Sequence, residues 1–296
     1  MVRIGLAGAG GPAAAVHASS LAACQQARFA GVWAPETAAA RSLAAEHGVP
    51  AFGSFDELLG DCDAVAFAVP PAAQPELAGA AAGRGKAVLL ESPLAADLAG
   101  AQELATAVAA VGVPSQVALA WRYDSAVRDF LAGAVPRAIP QGGSGRLVSA
   151  AFGAGSAEPA WRIETGVLRT FGPYLVDLLD AALGRISSVR AHGDPQGWLG
   201  LMLEHSGGRF SEASLTATGA PGSERADVEI FGSGGTAAID CREAAGRASF
   251  DTMYREFADT AARGKPHELD AEHGLRVQQV IEAAEHDLFG TDTPGR

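Results

Sequence analysis

The chain has 296 residues, a formal net charge of −12, and 48% hydrophobic against 19% charged residues. That length and composition suit one large or two ordinary globular cores and exclude a disordered polymer. The acidic balance, with no dense Lys/Arg run, excludes nucleic acid as a partner because a phosphate backbone would be repelled.

The start, Met1-Val2-Arg3-Ile4-Gly5, reads as strand and turn, not as a signal peptide. No apolar run reaches the roughly 18–20 residues that cross a bilayer, so the expected location is the cytoplasm, with no membrane partner. Over roughly the first 120 residues, short apolar runs alternate with helical patterns, the signature of parallel strands crossed by helices. Strands are expected at Val2–Ala7, Phe29–Trp33, Ala64–Val69, Ala87–Glu91 and Gln116–Ala120. Ser54-Phe55-Asp56-Glu57 reads as a capping box, and Asp97 as the cap of a helix that Gly112 ends. Cys24, Cys62 and Cys241 stand far apart without a CxxC pair, so neither a disulfide framework nor a metal site is expected.

After Trp121 strands follow strands: Gly145–Phe152, Ile186–His192, Trp198–His205, Arg209–Thr218, Asp227–Phe231 and Thr236–Asp240, with Gly207-Gly208 and Gly234-Gly235 as tight turns. This predicts a mostly antiparallel, open-faced sheet in a separate α+β domain. One helix covers Leu168–Leu183. A last helix carries Val277, Ile281, Ala284 and Leu288 on one face, and the tail Thr291–Arg296 is expected to fray. The expected fold is therefore α/β, with a Rossmann-type doubly wound domain over 1–121 and an α+β substrate and dimerisation domain over 122–296. The last helix is allowed to pack back on the first domain. Six strands with few helices leave a sheet face to cover, which predicts a homodimer.

Gly8-Ala9-Gly10-Gly11-Pro12-Ala13 follows a strand and opens a helix, the setting in which G-x-G-x-x-A lets backbone approach a pyrophosphate at a helix N-terminus. In such folds the second strand ends in an acidic residue for the adenosine ribose, or is followed by Arg for a 2′-phosphate. Here that position is Ala34, with no Arg after it, and Glu36 reads as first-turn helix chemistry. The ribose anchor is missing.

The chain resembles the Gfo/Idh/MocA oxidoreductases over essentially its whole length. The resemblance rests on the glycine loop with His17 after it, Asp63-Ala64-Val65 leading to Val69-Pro70-Pro71, and Gly85-Lys86 through Glu91-Ser92-Pro93. It continues through Gly166 to Asp177, Gly264-Lys265-Pro266 and Glu272-His273-Gly274-Leu275. It implies NAD or NADP as cofactor, contacted at Gly8, Gly10, Gly11, Pro12, Ala34, Val69, Pro70, Glu91 and Ser92, with the nicotinamide between the domains. It also implies a small sugar, cyclitol or related alcohol as substrate. The family's Glu-Lys-Pro motif reads Glu91-Ser92-Pro93 here, its helical Asp and His read Thr170 and Tyr174, and the His that commonly follows the Pro-Pro turn reads Gln74. The catalytic candidates are thus Tyr174, Ser92 and Thr170. Arg122, Trp161, Arg162 and Arg169 are placed near substrate, with Trp161 and Arg162 in a loop.

A phenol normally needs a neighbouring cation to titrate near neutrality. Lys86 and Lys265 are the only lysines, and both match family positions outside the catalytic pocket. Tyr174 can equally be a packed aromatic, Arg169 a solvated residue, Trp161 and Arg162 packing residues, and His192 and His205 structural. Three readings stay open: an NAD(P)-linked oxidoreductase using Tyr174, a non-redox cyclase, lyase or isomerase in the same cleft, and a non-catalytic binding or partner subunit.

Overall fold

The computed structural model describes residues 1–153, 158 and 160–290, with the side chains of Pro12, Ala13 and Trp161 outside that set; the tail Thr291–Arg296 also lies outside the described residues. The chain divides into two compact units: Met1–Leu119 with Gly246–Arg276, and Ala120–Ala245 with Val277–Arg296. A stretch from the far end of the sequence therefore belongs to the first unit, which a single boundary near residue 121 does not describe.

The first unit is built on five parallel strands, β1 (Val2–Ala7), β2 (Ala27–Trp33), β3 (Ala64–Phe67), β4 (Ala87–Leu90) and β5 (Ser115–Val117). They lie in the order β2-β1-β3-β4-β5. β1 pairs with β2 on one side (Ala7 with Trp33) and with β3 on the other (Ala7 with Phe67), so the strand order reverses at β1. Such a switch point opens a crevice at the carboxyl ends of the strands. The crossing helices are α1 (Gly11–Ala23), α2 (Thr37–His47), α3 (Phe55–Asp61), α4 (Gln74–Gly83) and α5 (Leu98–Val111). Their ends follow local chemistry. Asp97 accepts from Gly100 N at 2.8 Å and Gly112 closes α5 in the left-handed region. Ser54 accepts from Glu57 N at 3.2 Å, but Glu57 reaches past the cap to Gly53 N at 2.8 Å, one residue earlier than a capping box requires.

The second unit begins with a 3-10 turn (Ala120–Tyr123), where a strand was expected to run on to Ala120. Then come α6 (Ser125–Asp129), a π-helical turn (Phe130–Ala134) and α7 (Val135–Ala138). A six-stranded sheet follows, formed by β6 (Pro140–Val148), β7 (Ile186–Gly193), β8 (Trp198–His205), β9 (Arg209–Thr216), β10 (Arg225–Gly232) and β11 (Gly235–Asp240). The order is β11-β10-β6-β9-β8-β7; only β6 and β9 run parallel. β6 begins five residues before its expected start. Gly142, Gly143 and Gly145 read poorly as strand, yet a Cβ at Gly145 would press on Leu175 and Leu179. Glycine there lets α8 (Ala160–Leu183) settle onto the sheet. Alternate positions of the strands bury Leu199, Leu201, Leu203, Ala213, Leu215, Val228 and Ile230 in one core with Leu175, Leu178 and Leu179 of α8. The opposite face leaves Trp198, Met202, Phe210 and Phe231 exposed.

Two helices complete the chain, α9 (Arg247–Arg263) and α10 (Ala271–Phe289). α9 packs against α1 within the first unit, and the second part of α10 joins the second unit's core through Val277, Ile281 and Ala284. No described helix is long and apolar enough to cross a membrane.

Candidate functional site

In the first unit, three strand ends meet at the switch point. Gly8 leaves β1 with φ +115°, and a Cβ there would collide with the Ala68 carbonyl that follows β3. This glycine lets two neighbouring strand ends touch. Gly10 and Gly11 differ: no atom lies within 4 Å of where either Cβ would be. Gly10 is the N-cap of α1 and has no side chain to satisfy the first helical N–H groups. Open space at a helix N-terminus that no side chain caps forms a cradle suited to a pyrophosphate. By this test the residues present fit a dinucleotide. Pro12 lies in the first turn of α1. Val69 is half-buried and Pro70 exposed, both just after β3.

Ala34 follows β2, buried, with 7% of its surface accessible. Glu36 is the N-cap of α2 rather than a first-turn residue, its carboxylate accepting from Ala38 N at 3.4 Å. The end of β2 thus offers a ribose no carboxylate at Ala34.

The turn after β4 is held from two sides. Gln74, fully buried at the start of α4, accepts from Glu91 N at 2.8 Å and donates to Glu91 O at 3.0 Å and to Leu94 O at 2.9 Å. Its amide therefore brackets Glu91-Ser92-Pro93. From the other side, Glu91 Oε1 lies 2.7 Å from His17 Nε2, and His17 Nδ1 lies 2.8 Å from the Tyr254 hydroxyl of α9. Burial, then the Glu91 charge, push the Tyr254 phenol well above its ordinary value, so its O–H is retained. Lys86 stands at the start of β4, donating to Cys62 O at 2.8 Å. The buried thiols of Cys62 and Cys241 are pushed up to about 11 and about 12 by desolvation, which disfavours the nucleophilic thiolate. No cluster of metal-ligating side chains occurs among the described residues.

In the second unit the site residues share α8. Gly166, with φ +83°, breaks the helix, and Val167 N donates to Pro195 O at 3.2 Å. The continuous part then begins one residue before the expected Leu168. Arg162 belongs to the short helical turn before that break, not to a loop; it pairs with Glu158 at 2.9 Å and lies 5.9 Å from the Phe171 ring centroid. Trp161 shares this turn, with its side chain outside the described set.

Thr170, Tyr174 and Asp177 are spaced to share a helix face. The Thr170 hydroxyl donates to Arg162 O at 3.3 Å. Tyr174 is half-buried, its ring centroid 5.3 Å from that of Trp121 at 38°. Asp177, 1% accessible, pairs with Arg122 at 3.0 Å. Trp121 and Arg122 come from the same 3-10 turn, so one turn supports both Tyr174 and Asp177.

Arg169, expected near substrate, is engaged by two carboxylates of α10: Glu282 at 2.8 Å, and Glu285 through two hydrogen bonds, one of them at 2.7 Å. Burial alone would lower its pKa, but the two glutamates raise it overall. His205, buried, is held between Gly184 O at 2.6 Å and Ser211 Oγ at 2.7 Å. The Gln74 bracket, the Glu91–His17–Tyr254 chain and the Arg122–Asp177 pair went unrecognised in the sequence. Each joins residues at least 17 positions apart, beyond what local spacing can report.

Fold and loop arrangement define the class first: an α/β protein with a dinucleotide-type Rossmann unit and a second unit built on a large, mostly antiparallel sheet. A family match follows from the sequence itself. Residues 2–119 match the model of the Gfo/Idh/MocA oxidoreductase family with its NAD-binding Rossmann fold. Comparison with curated proteins finds no match. Among solved structures, the fold is similar to UDP-N-acetylglucosamine 3-dehydrogenase from Acidithiobacillus ferrooxidans, with 20% identity, 98% of each chain covered and a TM-score of 0.86. It is similar also to scyllo-inositol dehydrogenase from Lactobacillus casei with bound NAD(H) and scyllo-inositol, with 17% identity, 99% of this chain and 98% of that one covered, and a TM-score of 0.83. GenD2 from gentamicin A biosynthesis, in complex with NAD, aligns at 21% identity over 97% of this chain and 93% of its own, with a TM-score of 0.85.

Proposed function

We propose that the protein is a diverged NAD(P)-dependent oxidoreductase acting on a small sugar-, cyclitol- or secondary-metabolite-like alcohol. The observation that carries this reading is the open cradle at Gly10 and Gly11 on the switch point of a Rossmann unit that matches an NAD-binding family model. The substrate class is supported by the sugar nucleotide and inositol dehydrogenases that share the fold. When bound, the nicotinamide supplies the hydride acceptor or donor.

The protein's own residues divide the remaining work. Gly8, Gly10, Gly11 and the N-terminus of α1 at Pro12 hold the pyrophosphate. Ala34, Val69, Pro70, Glu91 and Ser92 line the rest of the nucleotide path. Tyr174 exchanges the substrate proton, with Thr170 on the same helix face and Arg122, from the turn that also carries Trp121, as a cation of this unit. Arg162 bounds the substrate side, while the Glu282 and Glu285 contacts suit Arg169 to holding α8 against α10 instead. The protein works in the cytoplasm as a homodimer through the open sheet face, a role supported by the exposure of Trp198, Met202, Phe210 and Phe231.

A second reading, a non-redox cyclase, lyase or isomerase, is favoured by one observation: no basic side chain stands where the family's lysine does, at Ser92. Titration with NADH and NADPH, following nicotinamide fluorescence, separates the two. Binding of both, with less than about tenfold selectivity because Ala34 supplies no charge-assisted contact, supports the oxidoreductase. Absence of binding overturns it.

A further inference from the structure

The strand order β2-β1-β3-β4 gives a bound dinucleotide a direction. Its pyrophosphate belongs at the glycine loop after β1 and its adenosine ribose at the end of β2, so its nicotinamide half extends over the ends of β3 and β4. The turns at those ends carry two acidic side chains, Glu91 and Asp97, and no basic one. Asp97 is taken up as the cap of α5. Glu91 has no helix terminus to answer its charge. Its side chain keeps 24% of its surface accessible, while His17 behind it is fully buried.

The hydrogen bonds behind Glu91 are assigned from the Tyr254 phenol as donor. Tyr254 is buried and its hydroxyl has His17 Nδ1 as its described partner. With the phenol as donor, Nδ1 is the acceptor, and the ring proton sits on Nε2, facing the Glu91 carboxylate. Gln74 holds the Glu91 backbone at both its N–H and its carbonyl. The carboxylate is thereby held in place by the His17 ring, with no cation adjoining it in sequence.

We propose that Glu91, positioned by His17 and Tyr254, makes this site favour the oxidised, cationic nicotinamide over the reduced, neutral one. The inference rests on the nucleotide reading above. A carboxylate near a positive ring stabilises NAD+ by direct attraction, and the reduced ring gains nothing from it. An adjoining lysine would cancel the effect; Ser92 does not.

The test is calorimetric titration of the full chain with NAD+ and with NADH, comparing wild type with Glu91→Gln. The substitution keeps an acceptor for His17 Nε2 and removes only the charge. The ratio of NADH to NAD+ dissociation constants is expected to fall by roughly tenfold in Glu91→Gln. Ser92→Lys, which sets an ammonium beside an intact carboxylate, must lower the ratio too and serves if Glu91→Gln does not fold. Nitrogen NMR of His17 reads the positioning role separately: a protonated Nε2 and a bare Nδ1 in wild type support it, and a protonated Nδ1 overturns it. Binding of both nucleotides with a ratio unchanged by either substitution overturns the preference and leaves the nucleotide site standing. No binding of either form overturns the site and the preference together.

Discussion

The candidate residues of the two units act through different parts of the chain, backbone in one and side chains in the other. In the first unit the cradle consists of glycines, a helix N-terminus and a turn held by Gln74 through main-chain groups. In the second, function would rest on what projects from one face of α8: Thr170, Tyr174 and Asp177. The candidate side chains are Ala34 and Ser92 in one and Thr170 and Tyr174 in the other. A peptide N–H at a strand-to-helix turn depends on conformation and not on side-chain type, so such a cradle tolerates substitution around it. A proton-transfer group has no such reserve.

That comparison can be tested from its largest expected effect downward. Asp177→Ala leaves the Arg122 guanidinium buried without this partner and should destabilise the second unit by about 3–5 kcal/mol; a melting temperature within a degree of wild type would make the pair incidental. Tyr174→Phe keeps the contact with Trp121 and removes one proton. Turnover on an accepted substrate should fall about a hundredfold with stability nearly unchanged. Full activity in that variant would reduce Tyr174 to a packing residue.

The two kinds of glycine should part company. Gly8→Ala drives a methyl into the Ala68 carbonyl at a positive φ and should cost about 2–3 kcal/mol of stability. Gly10→Ala meets no atom and has an ordinary φ of −94°. It should melt like wild type while losing about tenfold in nucleotide affinity. Equal melting temperatures for the two, measured by calorimetry, would contradict the division of roles.

The smallest effect belongs to His205. Burial lowers its pKa below the ordinary value near 6.5, against the hydrogen bond to Gly184 O. The unfolded chain then binds the proton more readily than the folded one. Stability from this group is therefore complete above about pH 6.5 and declines as pH falls toward the lowered folded value. His205→Gln should flatten that part of a denaturation profile between about pH 7 and 5, and a wild-type slope unchanged by the substitution would rule the group out.

Local signals explain how much could be read in advance. Trp198–His205 is recovered residue for residue because alternation and a Gly-Gly turn are both near-neighbour features. Asp97, Gly112 and the α1 loop are equally local. The expected Gly145–Phe152 strand instead spans Pro140–Val148, since pairing on both sides and packing against α8 override the poor strand propensity of its glycines. The short helical turns over 120–138 lack the length to show a period.

The sequence by itself determined most of the strands, the glycine loop, Ala34 at the end of the second strand, and the absence of a lysine beside Glu91, because each is carried by residues within one turn or one strand. Only the tertiary structure decided that α9 returns to the first unit to place Tyr254 behind His17. It alone decided that Gln74 brackets the turn after β4, and that Arg169 faces α10 while Arg122 faces Asp177. Those choices depend on which distant groups can satisfy one another's hydrogen bonds once water is excluded, and burial sets that condition for the whole chain at once.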